Sequence, residues 1–254
     1  MAMQVRRIGV VGAGLMGRAI ALEFALAGYE VGIHDVRSEA LERLRQGLEP
    51  AVRNLVDFGV VAEAAIRAAV ERIEPHANLA DAVRGADYVV EAVAEDLDVK
   101  RATFAELDRL APSHAVFASN TSGLCPDDLA EATRRPSRVL VAHYINPPYF
   151  IPLVEVVPAS ATAPEVVETV VELLRGVGKQ PVVQRYVPGF VANRLQFALF
   201  REAAHLIDEG VVAAEDVDTI VTAGLGPRWA ALGPIRTADM AGLDVFLAIA
   251  SYLF

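Results

Sequence analysis

Two ionisable side chains in the middle of the chain stand where an apolar sequence would not ordinarily carry them. Glu155 lies inside Leu153-Val-Glu-Val-Val157, and His143 closes the apolar run 139–143. A carboxylate in an apolar strand is costly to bury unless something pairs with it. Pro147 and Pro148 break the intervening chain into a turn that brings the two strands together, which makes His143 the partner. The pair predicts general acid–base chemistry. The carboxylate fixes the imidazole's tautomer and stabilises its protonated form, while the other ring nitrogen faces a substrate.

A second constellation begins at Gly12-Ala-Gly14-Leu15-Met16-Gly17, which fits G-x-G-x-x-G. It follows a predicted strand and opens a predicted helix, the context in which the pattern has a mechanism. Gly12 permits a tight turn, Gly14 admits a pyrophosphate to the backbone, and Gly17 allows close helix–strand packing. Free N–H groups at the helix start then face the phosphates. Asp35 ends the second strand, 18 residues beyond Gly17. A carboxylate there accepts both ribose hydroxyls of NAD and repels the 2′-phosphate of NADP. Arg37 lies close by, but the Asp dominates, and NAD is the predicted cofactor.

The elements that position these residues read as alternating strands and helices. Strand-like runs fall at 8–11, 29–35, 88–92, 115–119, 139–143, 153–157 and 180–183, and helical patterns at 15–27, 98–110, 126–134 and 164–176. Residues 38–72 read as helix, broken near Asp57–Gly59 into two arms. Strand–helix–strand succession forces a parallel sheet, whose carboxyl edge is where ligands bind. His143 sits at that edge, as does Ser119-Asn-Thr-Ser122, whose hydroxyls serve either a site or the N-cap of the next helix. Beyond Pro188 only helical runs appear, at 189–209, 214–223 and 238–253, punctuated by Gly224, Gly226, Pro227, Gly233 and Pro234. Asn193 lies in the first turns of this region. The expected architecture is therefore an α/β, Rossmann-type NAD-binding domain over 1–186 and an all-helical C-terminal domain over 187–254. The apolar run Phe246–Phe254 has no polar finish, so a further segment or a partner subunit is expected to cover it.

Composition bounds the partners. The chain has 254 residues, 54% of them hydrophobic, enough to bury roughly 70–75% of its unfolded surface without disulfide or metal. A net charge of −10 argues against nucleic-acid binding, which relies on Lys and Arg at phosphates. The single cysteine, Cys125, suits a reducing cytoplasm and reads as a small apolar residue before a helix. The opening MAMQVRR runs straight into a predicted strand, so no signal peptide is expected. No window of about 18 uncharged apolar residues suggests a membrane span. His34, His76, His114 and His205 lack metal spacing, so no metal is expected.

With these residues in hand the chain resembles the 3-hydroxyacyl-CoA dehydrogenase family. The resemblance runs over essentially the whole sequence and rests on EAVAED at 91–96, SNTSG at 119–123, HYINPPYFIPLVEVV at 143–157 and PGFVANRLQ at 188–196. It implies an L-3-hydroxy substrate, a helical domain that forms a homodimer, His143 as base and Glu155 as its orienting partner. It further implies that Ser122 and Asn193 bind the reacting oxygen and that Asn146 supports the histidine. Glu95 and Lys100 are placed at the ribose and nicotinamide side of NAD.

Two departures bear on the substrate. CoA-using members commonly carry lysines in the helical hairpin after the second strand, whereas residues 38–74 here hold no Lys; Arg43, Arg45, Arg53, Arg67 and Arg72 are their cations. The segment from Asn146 to Glu155, and Arg228-Trp229, look more like the L-gulonate and L-carnitine dehydrogenase branch. The expected reaction is the interconversion of an L-3-hydroxyacyl-CoA and a 3-ketoacyl-CoA, with a free 3-hydroxy acid such as L-gulonate or L-carnitine as the close alternative. The 6-phosphogluconate-type dehydrogenases use a lysine base, but Arg194 follows Asn193 here, and an always-charged guanidinium is a poor base. A lens structural protein of similar kind keeps the nucleotide fold, which makes a non-catalytic NADH-binding protein the remaining alternative; the presence of His143, Glu155, Ser122 and Asn193 together argues against it.

Overall fold

The apolar runs pair into one sheet in the computed structural model, which describes residues 5–253. The first four and the last residue lie outside it, and with them most of the reading of the N-terminus. The strands are β1 (Arg7–Val11), β2 (Glu30–His34), β3 (Ile73–His76), β4 (Tyr88–Glu91), β5 (Val116–Ser119), β6 (Val139–Tyr144), β7 (Leu153–Pro158) and β8 (Gln180–Val183). They lie in the order β3-β2-β1-β4-β5-β6-β7-β8. The first six are parallel, β7 runs antiparallel to β6, and β8 runs parallel to β7. The central strands are apolar on both faces because helices cover both.

On one face α1 (Leu15–Leu26), α3 (Leu44–Asp57), α4 (Glu63–Glu71) and α8 (Pro164–Gly176) bury Ile8, Phe24, Tyr88, Leu140 and Val156. On the other, α6 (Leu97–Leu110) and α7 (Pro126–Ala130) bury Val89, Phe104, Phe117 and Leu129. The short α2 (Ser38–Glu42) and α5 (Leu79–Ala82) complete the connections. The parallel strands β1, β4, β5 and β6 end at one edge, in Val11, Glu91, Ser119 and Tyr144.

The helical stretch expected over 38–72 as two arms is broken where the sequence placed the break, at Gly59 with φ +65°, and a second time at Arg43, which separates α2 from α3 and makes three helices of it. The strand β3 that follows it was not anticipated. Its sequence, Ile-Glu-Pro-His, buries only Ile73 and carries a proline, features an edge strand tolerates and a pattern search reads as loop.

The chain divides into two compact units, the first ending at Asn193 and the second starting at Arg194. α9 (Phe190–Asp208) begins in the first unit and continues into the second. The second also holds α10 (Ala214–Ile220), α11 (Gly226–Ala241) and α12 (Leu243–Leu253), with no strand among its described residues. The expected punctuation there needs correction. Residues 226–241 run as helix, because Pro227 occupies the first turn where its missing N–H costs nothing. Gly233 kinks that helix, at φ +75°, and the run expected over 238–253 is split at Gly242, at φ +95°.

Candidate active site

The glycine-rich turn is fixed by backbone approach. A Cβ on Gly12 (φ +101°) would lie 2.4 Å from the Ala92 carbonyl oxygen, and one on Gly17 only 1.8 Å from that of Gly12. Over Gly14 nothing lies within 4 Å, which leaves open space at the mouth of the turn. No side chain caps α1, so the first-turn N–H groups of Leu15, Met16 and Gly17 stay available to an anion.

Asp35 is buried beside this turn. Its carboxylate accepts from Ala13 N at 2.8 Å and from Arg37 N and Nε at 2.9 and 3.1 Å. Burial alone would raise its pKa, but the Arg37 and Ala13 hydrogen bonds and the guanidinium charge outweigh that and hold it low. A cavity of about 880 Å³ lined by Gly12, Gly14, Asp35, Val36, Val93 and Val99 opens there. Free amides, a bare glycine and an anionic ribose acceptor together fit a dinucleotide without a 2′-phosphate. Gly17→Ala is expected to remove dinucleotide binding and cost about 3 kcal/mol of stability, since its methyl would meet backbone that no rotamer can move. Isothermal titration with NADH and a denaturant melt check both halves.

The antiparallel register of β6 and β7 sets His143 directly opposite Glu155. Both are buried, and His143 Nδ1 lies 2.8 Å from Glu155 Oε2. The other carboxylate oxygen, Oε1, accepts from Ala192 N at 2.8 Å and from Gln184 Nε2 and Val191 N at 3.0 Å. Burial pushes the Glu155 pKa up, but these hydrogen bonds and the one from His143 hold it below the ordinary carboxylate range. An ionised carboxylate only accepts, so Nδ1 carries the proton and Nε2 is left with its lone pair. Nε2 has no hydrogen-bond partner among the described residues.

The Val191 and Ala192 amides reach Glu155 because Gly189 and Phe190 both adopt positive φ, +78° and +53°. For Phe190 that conformation costs on the order of 1 kcal/mol, and its buried ring packs 5.4 Å from the imidazole. The N-terminus of α9 is thereby aimed at the carboxylate, where its partial positive charge favours the anion.

A buried ion network organises the neighbouring edge. Glu91, fully buried at the end of β4, accepts from Lys100 Nζ at 2.7 Å, Val93 N at 2.8 Å and Ser119 Oγ at 2.5 Å. Lys100, 1% exposed, also lies 3.3 Å from Glu95. Glu95 in turn accepts from the Thr121 hydroxyl and from Ser122 N at 2.9 Å. Asn193 Nδ2 donates to the Ser122 carbonyl at 2.9 Å, which joins the 119–122 loop to the start of α9. The Ser122 side chain is exposed at this edge. Asn146 is exposed too, and no hydrogen bond ties it to His143; it begins the cis Asn146–Pro147 bond. The polar support at β6 comes instead from Asn120, whose Oδ1 accepts from Tyr144 N at 2.9 Å.

Comparison with known proteins meets this geometry from the other side. Residues 7–187 match the 3-hydroxyacyl-CoA dehydrogenase NAD-binding domain, and residues 189–254 match the C-terminal domain of the same enzymes. The chain belongs to the 3-hydroxyacyl-CoA dehydrogenase family. It is 41% identical over 239 residues to an L-carnitine dehydrogenase of Streptomyces coelicolor, covering 94% of this chain and 74% of that one. It is 38% identical over 250 residues to a 5-formyl-3-hydroxy-2-methylpyridine 4-carboxylate 5-dehydrogenase of Mesorhizobium japonicum, covering 98% and 80%. The crystal structure of a 3-hydroxyacyl-CoA dehydrogenase from Archaeoglobus fulgidus superposes with a TM-score of 0.81 at 37% identity, over 98% of this chain and 80% of that one.

Membership in the 3-hydroxyacyl-CoA dehydrogenase family makes NAD the cofactor and places the chain among NAD-dependent hydroxyacid and hydroxyacyl dehydrogenases. It leaves the substrate open, because relatives at similar identity are named for different ones. Sequence reasoning missed Glu91 as the hub of the Lys100 network, although a carboxylate ending an apolar strand is the same signal that exposed Glu155. Gln184 and the α9 amides gave no such signal. Among the described residues no helix is long and apolar enough to cross a membrane, and no cluster of His, Cys, Asp or Glu is placed for a metal.

Proposed function

We propose that the protein oxidises a 3-hydroxy compound to the corresponding ketone, or runs the reverse, with His143 as base. The observation that carries this reading is the 2.8 Å His143–Glu155 pair, at the same sheet edge as the glycine turn. NAD, when bound, supplies the acceptor for the hydride leaving the carbinol carbon. His143 Nε2 takes the hydroxyl proton, and Glu155 stabilises the imidazolium that forms. Ser122 and Asn193 bind the reacting oxygen, with Asn193 already positioned by its bond to the Ser122 carbonyl.

A free 3-hydroxy acid is the favoured substrate class. A CoA thioester brings three phosphate groups, whereas the α2–α4 region offers few uncommitted cations. Arg45 pairs with Glu71, Arg67 with Glu63, and Arg72 donates to the Ala68 carbonyl. An acyl-CoA is the second reading, supported by the family match over both domains. Turnover with acetoacetyl-CoA, a longer 3-ketoacyl-CoA, L-gulonate and L-carnitine separates the two. A free acid is expected to give the higher kcat/KM, and a thioester preference hands the assignment to the second reading. Dinucleotide binding with no turnover of any hydroxy or keto compound would instead support a non-catalytic binding protein.

Homodimerisation belongs to the same proposal. Leu195, Phe197 and Phe200 of α9, and Phe246, Leu247 and Tyr252 of α12, are exposed apolar side chains. Surface of that character is ordinarily covered in solution, and light scattering on the purified chain reads the mass.

A further inference from the structure

The chain carries only two lysines, and both are buried. Lys100 serves the sheet edge described above. Lys179, just before β8, serves a different place. Its ammonium forms an ion pair with Glu23 of α1 and donates to the carbonyls of Pro148 and, at 3.1 Å, Ile151. Three acceptors exhaust its three N–H groups. Pro148 and Ile151 belong to the connection 145–152, which joins the strand of His143 to the strand of Glu155. The connection has little regular structure of its own. The Phe150 and Ile151 amides both donate to the Pro147 carbonyl, and Phe150 packs edge-on to Phe58.

Glu23 is placed to change state. It is 8% exposed, and its second oxygen, Oε2, has no hydrogen-bond partner. It lines a cavity of about 330 Å³ with Leu55, Val60, Tyr149 and Val177, which gives protons a route to it. The groups facing it are few. The α3–α4 hairpin and the end of α8 contribute apolar side chains, and the 145–152 connection contributes Tyr149. Lys179 is the facing cation. From the sheet come Tyr144, whose hydroxyl feels the Glu23 charge, and Tyr88 beside it, both buried.

We propose that Lys179 and Glu23 are positioning residues that clamp the 145–152 connection from the face of the sheet opposite His143, and that protonating Glu23 loosens the clamp. This rests on the dehydrogenase reading of the site. Neutralising one member of a buried ion pair strands the other charge, and a stranded Lys179 is relieved by moving toward water with the connection it holds. Burial lifts the Glu23 carboxyl to about 7, against the pull of the Lys179 charge and hydrogen bond, so the change falls near neutrality. The glycine turn and Asp35 have their own bonds and are not part of the clamp.

Amide exchange at Phe150 and Ile151, followed from mildly alkaline to mildly acidic buffer, reads the clamp without any substrate. Protection, corrected for the intrinsic exchange rate, is expected to fall about tenfold on acidification. At one fixed alkaline pH, the KM for the hydroxy substrate in Glu23→Gln is expected to exceed that of the wild type by a similar factor, with kcat and the NADH Kd within about twofold. Glu23→Gln is expected to show the acidic behaviour at every pH, with no step. Lys179→Met should do the same, and where it fails to fold Glu23→Gln, which keeps the lysine's donors, decides. An exchange step that survives in Glu23→Gln overturns the proposal, as does a wild type with no exchange step, or a Glu23→Gln KM equal to that of the wild type at that alkaline pH. Failure of every substrate would defeat the dehydrogenase reading, while the exchange result alone would still report on the clamp.

Discussion

His143→Ala is expected to lower turnover by roughly 10²–10⁴ while NADH binds almost as well as to the parent protein. The two halves follow from separate parts of the fold. The imidazole offers the proton acceptor at the end of β6, and no other described side chain puts a free basic nitrogen there. The dinucleotide turn is held by Gly12 and Gly17 against their own backbone and by Asp35 through Ala13 and Arg37, so the substitution does not disturb it. Nor is Glu155 stranded when the imidazole goes, because Gln184 and the Val191 and Ala192 amides still donate to Oε1. The variant should therefore stay folded, with a melting temperature within a few degrees of the parent. Steady-state turnover, NADH titration and a thermal melt on one preparation test all three points. Unchanged turnover would remove His143 from the mechanism.

The site was legible in the sequence where chemistry conflicts with pattern. Glu155 interrupts an apolar strand, His143 ends one, and two prolines between them announce a reversal, so their meeting follows from local rules. The glycine turn was legible for a similar reason, since strand, glycines and helix start must coincide for it to bind an anion. What remained hidden depends on contacts across long stretches of chain. The amides that hold Glu155 come from 36 and 37 residues away, and they point at it only because Phe190 takes a left-handed conformation that its sequence does not advertise. Lys179 looked like any polar residue between a helix and a strand until the fold laid it under Pro148 and Ile151. The kinked helix over 226–241 was missed because glycine and proline punctuate a sequence more strongly than they need punctuate a helix whose first turn and kink can accommodate them.

Lys100→Met should be among the most destabilising single changes in the first unit, by about 3–5 kcal/mol. Methionine fills nearly the same volume, so the loss is not one of packing. It comes from Glu91, which is fully buried and would keep its charge with only the Val93 amide and Ser119 hydroxyl to support it. For a chain of this size that corresponds to a drop in melting temperature on the order of 10 °C. If the stranded carboxylate is the cause, Glu91→Gln introduced into the same chain should recover a large part of the loss, because an amide costs far less to bury than an unpaired charge. If the cause were a misfit of the methionine, the second change would add to the damage, and a double-mutant cycle on denaturant midpoints separates the two by sign. The same variant tests how the sheet edge is built. Glu95 holds Ser122 N and is itself held by Lys100, so freeing Glu95 should loosen the loop that presents the Ser122 hydroxyl, raising KM for the hydroxy substrate even in the fraction that remains folded. A variant that melts like the parent would show that the buried ion pair is not what holds the 119–122 loop in place.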